Sequence, residues 1–317
     1  MDSSNLISVR VQAMRFEAQN IVSLELVSPA GGELPAFEAG SHIDLHLGNG
    51  LSRSYSLSNS PKERHRYVVG ILNDRNSRGG SRYVHEQLRV GTIISISAPR
   101  NNFPVDETAA HSVLIAGGIG ITPISCMLDH LRGLGKSAEL FYCARSRAEA
   151  AFADELLAQA GVQSHFDGEK GVPPDLRAFL ASKPADAHFY CCGPTPMLNA
   201  FESICEELGL PNVHIERFSA GENVETVQED EYVAELARSK KTVTVPAGKS
   251  LLDALLDAGL HVDHSCREGV CGACETKVLE GVPEHRDGVL SKKERESNKT
   301  MMVCVSGCKG KRLVLDL

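Results

Sequence analysis

At 317 residues, with 42% hydrophobic and 23% charged residues, the chain has the make-up of a globular protein of two or three domains. Its formal net charge of −8 excludes nucleic acid as a partner, because binding a phosphate backbone needs a basic face. No apolar run approaches membrane-spanning length, and Met1-Asp2-Ser3-Ser4-Asn5 lacks the basic start and apolar run of a secretory leader, so a cytoplasmic location with no membrane partner is expected.

Residues 7–16 and 21–27 alternate as half-buried strands do, and short β-runs follow at 42–47, 67–72 and 92–98 between Gly- and Pro-containing turns. Many short strands with one helix, expected over 81–88, point to an antiparallel barrel or sandwich. Along Arg53-Ser54-Tyr55-Ser56-Leu57-Ser58, Arg53, Tyr55 and Leu57 share one face and the three serines the other. Taken alone, that run fits any solvated strand. Arg78-Gly79-Gly80-Ser81 opens the helix, where glycines leave N–H groups free for an anion. An ordinary start capped by Ser81 is the alternative.

After Asp106 the pattern changes. The strand 111–116 runs into Gly117-Gly118-Ile119-Gly120-Ile121-Thr122-Pro123 and a helix over 123–134, the opening of a nucleotide-binding βα unit. A strand at 138–145, a helix at 148–159, a strand at 187–192 ending in Cys192-Gly193-Pro194, and a helix from about 195 to 208 follow. Alternating strands and helices imply a parallel sheet, with ligands beyond the strand C-termini. Residues 219–235 carry Glu222, Glu225, Glu229, Asp230, Glu231 and Glu235 and suit a linker.

A strand at 241–246 and an amphipathic helix at 250–258, with Leu251, Leu252, Leu255 and Leu256 on one face and Gly259 at its end, lead into a cysteine loop. Cys266, Cys271 and Cys274 stand at C-x4-C-x2-C spacing, and Cys304 follows after room for a strand and a return. Four thiolates so spaced are the ligands of a plant-type [2Fe–2S] cluster, with Gly269, Gly272 and Ala273 letting the backbone wrap closely. Structural zinc, which favours two short C-x2-4-C knuckles, is the competing metal. Cys308 competes with Cys304, but Gly307 and Lys309-Gly310 mark a turn around it. Cys126, Cys143, Cys191 and Cys205 lie in apolar runs, as small core residues do. Strands are expected at 275–279 and 312–317.

With Arg53-Ser54-Tyr55-Ser56, Gly117-Gly118-Ile119-Gly120-Ile121-Thr122-Pro123, Cys192-Gly193-Pro194 and the cysteine loop in this order, the whole chain resembles the reductase components of Rieske-type oxygenase systems. That is the phthalate dioxygenase reductase and vanillate demethylase reductase group of the ferredoxin–NADP reductase superfamily. The resemblance implies an antiparallel β-barrel flavin domain over 1–106 and an α/β parallel-sheet NAD(P)H domain over 107–222. A linker over 223–235 and an α+β ferredoxin domain of β-grasp type over 236–317 complete it. It implies that Arg53 pairs with the flavin phosphate, in a flavin-binding run with Ser54. Tyr55 lies along the isoalloxazine, Ser56 hydrogen-bonds near flavin N5, and Gly79, Gly80 and Ser81 cradle the phosphate. Gly117, Gly118, Gly120 and Thr122 match the family's nucleotide loop, and Cys192 and Gly193 its second loop, with Met197 where the next helix begins. Phe218 corresponds to the aromatic that closes off the flavin, or is a core phenylalanine. Ser56, Thr122, Cys192 and Phe218 are thereby expected at the reacting atoms, as orienting and packing groups.

The family implies FMN over FAD and NADH over NADPH, although Arg145 and Arg147 at the end of the second strand suit a 2′-phosphate. The implied activity passes electrons from NADH through flavin and the [2Fe–2S] cluster to a Rieske-type oxygenase. Two alternatives stand beside it. One is a free-standing flavin or quinone reductase with a regulatory ferredoxin domain; the other is a non-enzymatic zinc-binding interaction protein.

Overall fold

The computed structural model describes residues 6–75, 77–218 and 230–317. Strand Ile7–Ala18 turns at Asn20, in the left-handed region, and returns as Ile21–Val27. The antiparallel order is Ser52–Ser56, Ser41–His46, Ile93–Ile96, Ile7–Ala18, Ile21–Val27, Tyr67–Leu72, and Arg100–Asn101 adds to Ser41–His46. A bridge between Leu57 and Val69, with Ser58 N–H on the Val68 carbonyl at 2.9 Å, links the two ends and closes a barrel. Closure leaves no open edge. Val9, Val11, Leu24, Leu26, Ile43, Leu45, Leu57 and Ile71 fill the interior completely buried, each contributing roughly 1.5–3 kcal/mol by leaving water.

The helix expected over 81–88 is Gly80–Glu86, and its N-cap is Gly79 at φ 97°, not Ser81. Ser81 lies inside the first turn, where its hydroxyl oxygen accepts the Asp74 N–H at 3.3 Å.

The second sheet is parallel throughout: Val162–Phe166, Ser137–Ala144, His111–Gly117, His188–Cys192, Val213–Glu216. Helix Ile121–Gly133 begins two residues before the expected start, and helix Thr195–Glu207 begins where expected. The expected helix at 148–159 shrinks to Ala153–Leu157, because Phe152 at φ 58° breaks the helical path. The edge strands Val162–Phe166 and Val213–Glu216, unforeseen from sequence, are short and interrupted by polar residues.

The barrel and the parallel sheet form one compact unit that ends at Glu216, and a second unit begins at Arg217. Within the first, the Asp106 N–H donates to the Tyr190 hydroxyl at 2.8 Å and Phe103 meets Tyr190 edge-on at 5.9 Å.

In the second unit the sheet order is Lys241–Val245, Tyr232–Leu236, Arg312–Leu315, Glu275–Glu280, Thr300–Met302. Tyr232–Leu236 corrects the linker expected over 223–235. Tyr232, Ala234 and Leu236 alternate onto the core, and that buried face makes a strand of the segment's end. Glu222, Glu225 and Glu229 lie outside the described residues. Helix Leu251–Asp257 is capped by Ser250, whose hydroxyl accepts the Asp253 N–H at 3.1 Å. Leu251, Leu252 and Leu255 are buried against Val245, Met301 and Leu313. Among the described residues no helix is long and apolar enough to cross a membrane.

Candidate functional site

His111–Gly117 and His188–Cys192 are neighbours, so the loops leaving their C-terminal ends meet. A Cβ at Gly120 would stand 2.2 Å from the Cys192 carbonyl oxygen, and one at Gly117 would stand 2.6 Å from Met197 Sδ. One at Gly193 would lie 3.1 Å from Gly117 Cα. These three glycines therefore let the two loops touch backbone to backbone. Gly118, at φ 53° with open space around it, is the one whose freedom faces outward. Replacing Gly120 with alanine is expected to push the loops apart, costing about 1–3 kcal/mol of stability. A thermal melt together with the KM for nicotinamide nucleotide would register it, and an unchanged melt and KM would contradict this packing.

Thr122 is buried; its hydroxyl donates to the Ile119 carbonyl at 3.0 Å, and its methyl fills the space over Gly70 of the barrel strand Tyr67–Leu72. Cys192 is fully buried, and burial, with Glu216 and Cys191 beside it, pushes its thiol well above the ordinary range. A thiol so raised stays protonated, and the protonated form is a poor nucleophile.

The barrel strand Ser52–Ser56 carries the next group. Arg53 lies across Gly80, where a Cβ would meet its Cγ at 2.5 Å, and donates to the Ser52 carbonyl (2.8 Å) and the Arg78 carbonyl (3.4 Å). The strand therefore brings Arg53 to Gly79, Gly80 and Ser81. Ser54 donates to Asp44 at 2.5 Å; burial works to raise the Asp44 pKa, but Arg100 at 2.6 Å and Ser54 bring it below the usual value. Tyr55 is part-buried, and desolvation lifts its phenol to about 12. Buried Ser56 donates to Glu216 at 3.4 Å, across from the barrel to the last residue of the parallel sheet.

Glu216 had no assigned role from sequence. It pairs in register with Cys192. Some of its surface stays open, yet close packing around the carboxyl desolvates it and raises its pKa to about 8 against the Ser56 hydrogen bond. It holds a proton at neutral pH. Its strand was not legible from sequence, so its position at the C-terminal end of a parallel-sheet strand, where ligands bind, gave no signal there.

The other site residues lie in the second unit or at its start. Phe218, two residues past Glu216, is 39% exposed. Cys266, Cys271, Cys274 and Cys304 are each at most 5% exposed. They converge as two pairs: Cys274 meets Cys304 at 3.1 Å, and Cys266 hydrogen-bonds Cys271. The S–H of Cys271, helped by backbone N–H groups, draws the Cys266 thiol below its ordinary range. Cys304 lowers Cys274 in the same way. Arg267, Gly269 and Gly272 adopt left-handed φ of 58°, 68° and 71°, which coils the loop so that the Glu268 N–H reaches Cys266 Sγ at 3.3 Å. Ser265 Oγ beside it is buried without a protein partner among the described residues. Two thiol pairs wrapped by amides fit two bridged irons. A single tetrahedral zinc would need all four donors on one centre, whereas here they stand as two pairs. Cys308 points elsewhere, its sulfur accepting the Gly310 N–H at 3.3 Å and approaching the Arg312 carbonyl at 3.5 Å. Cys304 also lines a cleft of about 430 Å³ with Lys249, Ser250, Asp253 and Arg267.

A closed barrel, a parallel sheet with paired glycine loops and a four-cysteine β-sheet domain together define a modular iron–sulfur reductase. Residues 221–309 match the family model of the 2Fe-2S iron-sulfur cluster binding domain. Phenoxybenzoate dioxygenase subunit beta of Ectopseudomonas oleovorans is 49% identical over 312 residues, covering 98% of this chain and 97% of that one. Tetrachlorobenzoquinone reductase of Sphingobium chlorophenolicum is 46% identical over 317 residues, covering 98% of each. The structure of phthalate dioxygenase reductase, described as modular for electron transfer from pyridine nucleotides to [2Fe-2S], matches with a TM-score of 0.73. It is 36% identical and covers 98% of both chains. The chain belongs to the phthalate dioxygenase reductase and vanillate demethylase reductase group, and it is an oxidoreductase with a [2Fe–2S] domain.

Proposed function

We propose that this protein draws electrons in pairs from NADH through FMN and passes them singly, by way of the Cys266–Cys271 and Cys274–Cys304 pairs, to a Rieske-type oxygenase in the cytoplasm. The observation that carries the reading is the paired arrangement of four buried thiols in a chain that also has nucleotide-type glycine loops. When bound, a flavin takes up two electrons and releases them one at a time, which a one-electron cluster requires.

The chain's own residues have distinct tasks in this scheme. Arg53 supplies the cation for the flavin phosphate, with Ser54 holding the strand through Asp44 and Gly79, Gly80 and Ser81 forming the cradle. Tyr55 offers a flat, neutral ring. Ser56 and Glu216 form a proton-holding pair. Thr122, Cys192 and the glycines at 117, 118, 120 and 193 shape the floor beneath the nicotinamide, and Phe218 is the candidate cover for the flavin.

Two features favour NADH. Arg147 is engaged by Asp154 at 2.6 Å. Asp167 follows strand Val162–Phe166, and the next N–H, of Gly168, donates to the Arg145 carbonyl at 2.8 Å. A carboxylate thus stands at the strand ends where a ribose diol is read, and it repels a 2′-phosphate. Asp167→Ser is expected to narrow the NADH-over-NADPH preference in kcat/KM about tenfold; an unaltered ratio rules Asp167 out.

The similarity to tetrachlorobenzoquinone reductase favours a second reading, in which a quinone takes electrons from this protein. The reading as oxygenase reductase is tested by assaying the purified protein with NADH against Rieske oxygenases and quinones, with the bound flavin identified after release. FMN and turnover of an oxygenase support it. Turnover of quinones alone transfers the function to the second reading.

A further inference from the structure

Strand Pro283–Glu284 pairs with Gly307–Cys308, and the chain leaving it runs back against the cysteine loop. Asp287 sits on that return with its side chain fully buried. Its Oδ2 accepts the N–H groups of Val289 (3.1 Å) and Leu290 (2.8 Å), closing the turn before helix Lys292–Ser297.

Two contacts fasten this turn to the loop. The Gly288 N–H donates to the Gly269 carbonyl at 2.8 Å. A Cβ at Gly269 would meet Asp287 Cα at 3.0 Å and Val305 Cγ2 at 2.5 Å, so the backbones are in direct apposition. The N–H of Gly269 in turn hydrogen-bonds the sulfur of Cys304. The chain of contact runs from Asp287 through Gly288 and Gly269 to a cluster ligand.

The charges around Asp287 are incompletely matched. Arg295 donates to its carbonyl oxygen and places a guanidinium nitrogen 3.8 Å from Oδ2. His285 Nδ1 lies 3.7 Å from Oδ1, yet among the described residues Oδ1 and both His285 ring nitrogens are buried without a hydrogen bond. A buried carboxylate with an unmatched oxygen is unfavourable for stability alone, and such groups gather where function retains them.

We propose that Asp287 is a positioning residue for the iron–sulfur site. It holds the Gly269 amide on Cys304, and its buried charge, offset by Arg295, keeps the reduction potential low. This inference rests on the [2Fe–2S] reading. Electrons arriving from NADH reduce the site by one electron; a nearby negative charge opposes that step and a positive one favours it.

The test is a redox titration of the full-length protein followed by the EPR signal of the reduced cluster. Asp287→Asn keeps an oxygen for the two N–H groups and removes the charge. It is expected to shift the equilibrium about tenfold toward the reduced form, a rise of about 59 mV for one electron. Arg295→Gln is expected to lower the potential. Opposite signs are the mark of charge, since loosened packing has no reason to distinguish the two. Unchanged potentials, or shifts of the same sign, overturn the proposal. Should Asp287→Asn fail to retain iron, Arg295→Gln decides alone, and an unchanged or raised potential overturns it. Wild-type protein without the EPR signal instead removes the [2Fe–2S] reading on which the proposal stands.

Discussion

Cys271→Ala is expected to slow NADH-driven reduction of cytochrome c about 100-fold, while bleaching of the flavin by NADH keeps its wild-type rate. Cys271 faces Cys266 in a buried pair, so its loss leaves one half of the cluster site with a single sulfur. Apart from Phe218, the residues assigned to the flavin and nicotinamide, among them Arg53, Ser56, Thr122 and Glu216, belong to the other compact unit. A substitution in the cysteine loop is therefore expected to spare hydride acceptance and remove the one-electron exit. Stopped-flow absorbance and steady-state cytochrome assays on the same preparation separate the two. If cytochrome reduction survives, electrons leave from the flavin and the cluster has another role. Quinone reduction that persists in this variant at the wild-type rate identifies the flavin as the quinone's donor.

Glu216→Gln is expected to make the protein more resistant to heat than wild type in mildly alkaline solution, with no difference below about pH 4. Burial raises the Glu216 pKa from 4.5 to about 8. The folded chain therefore binds this proton more tightly than the unfolded chain. Its stabilising effect is complete below 4.5 and fades as pH climbs toward 8, by at most about 1.4 kcal/mol per pH unit. Glutamine has the shape of the neutral acid and no proton to lose. The gap in Tm should reach roughly 10 °C by pH 8. In the same pair, flavin reduction in the wild type should slow above pH 8 as a negative charge appears between Ser56 and Cys192. The variant should show no such bend. Identical pH profiles in the two proteins would remove Glu216 from the site.

What was legible in the sequence and what was not divides along physical lines. The barrel strands were visible because alternation is local: Val9 and Val11, or Leu24 and Leu26, point inward two residues apart whatever pairs beside them. The cysteine loop was visible because its three thiols share a nine-residue stretch. Strands Val162–Phe166 and Val213–Glu216 were not, since His165 and His214 interrupt the apolar pattern and pairing to a neighbour decides the conformation. The thiol pairing was likewise hidden; spacing named four candidates but not that Cys274 meets Cys304. The same holds for Glu216, whose bond to Ser56 spans 160 residues of sequence and whose raised pKa comes from packing alone. Ser81 shows the reverse error: a serine beside glycines fits a cap by composition, but Gly79, free to adopt φ 97°, takes that place.

Electrons are expected to enter as a pair at a flavin and leave one by one at iron held by four cysteines. Rapid freezing after anaerobic mixing with NADH, read by optical and EPR spectra on one sample series, tests it most directly. Loss of flavin colour is expected first, followed by the EPR signal of a reduced [2Fe–2S] centre that is missing from Cys271→Ala. A cluster signal that appears before the flavin bleaches, or a flavin that bleaches with no cluster signal in wild-type protein, would contradict it.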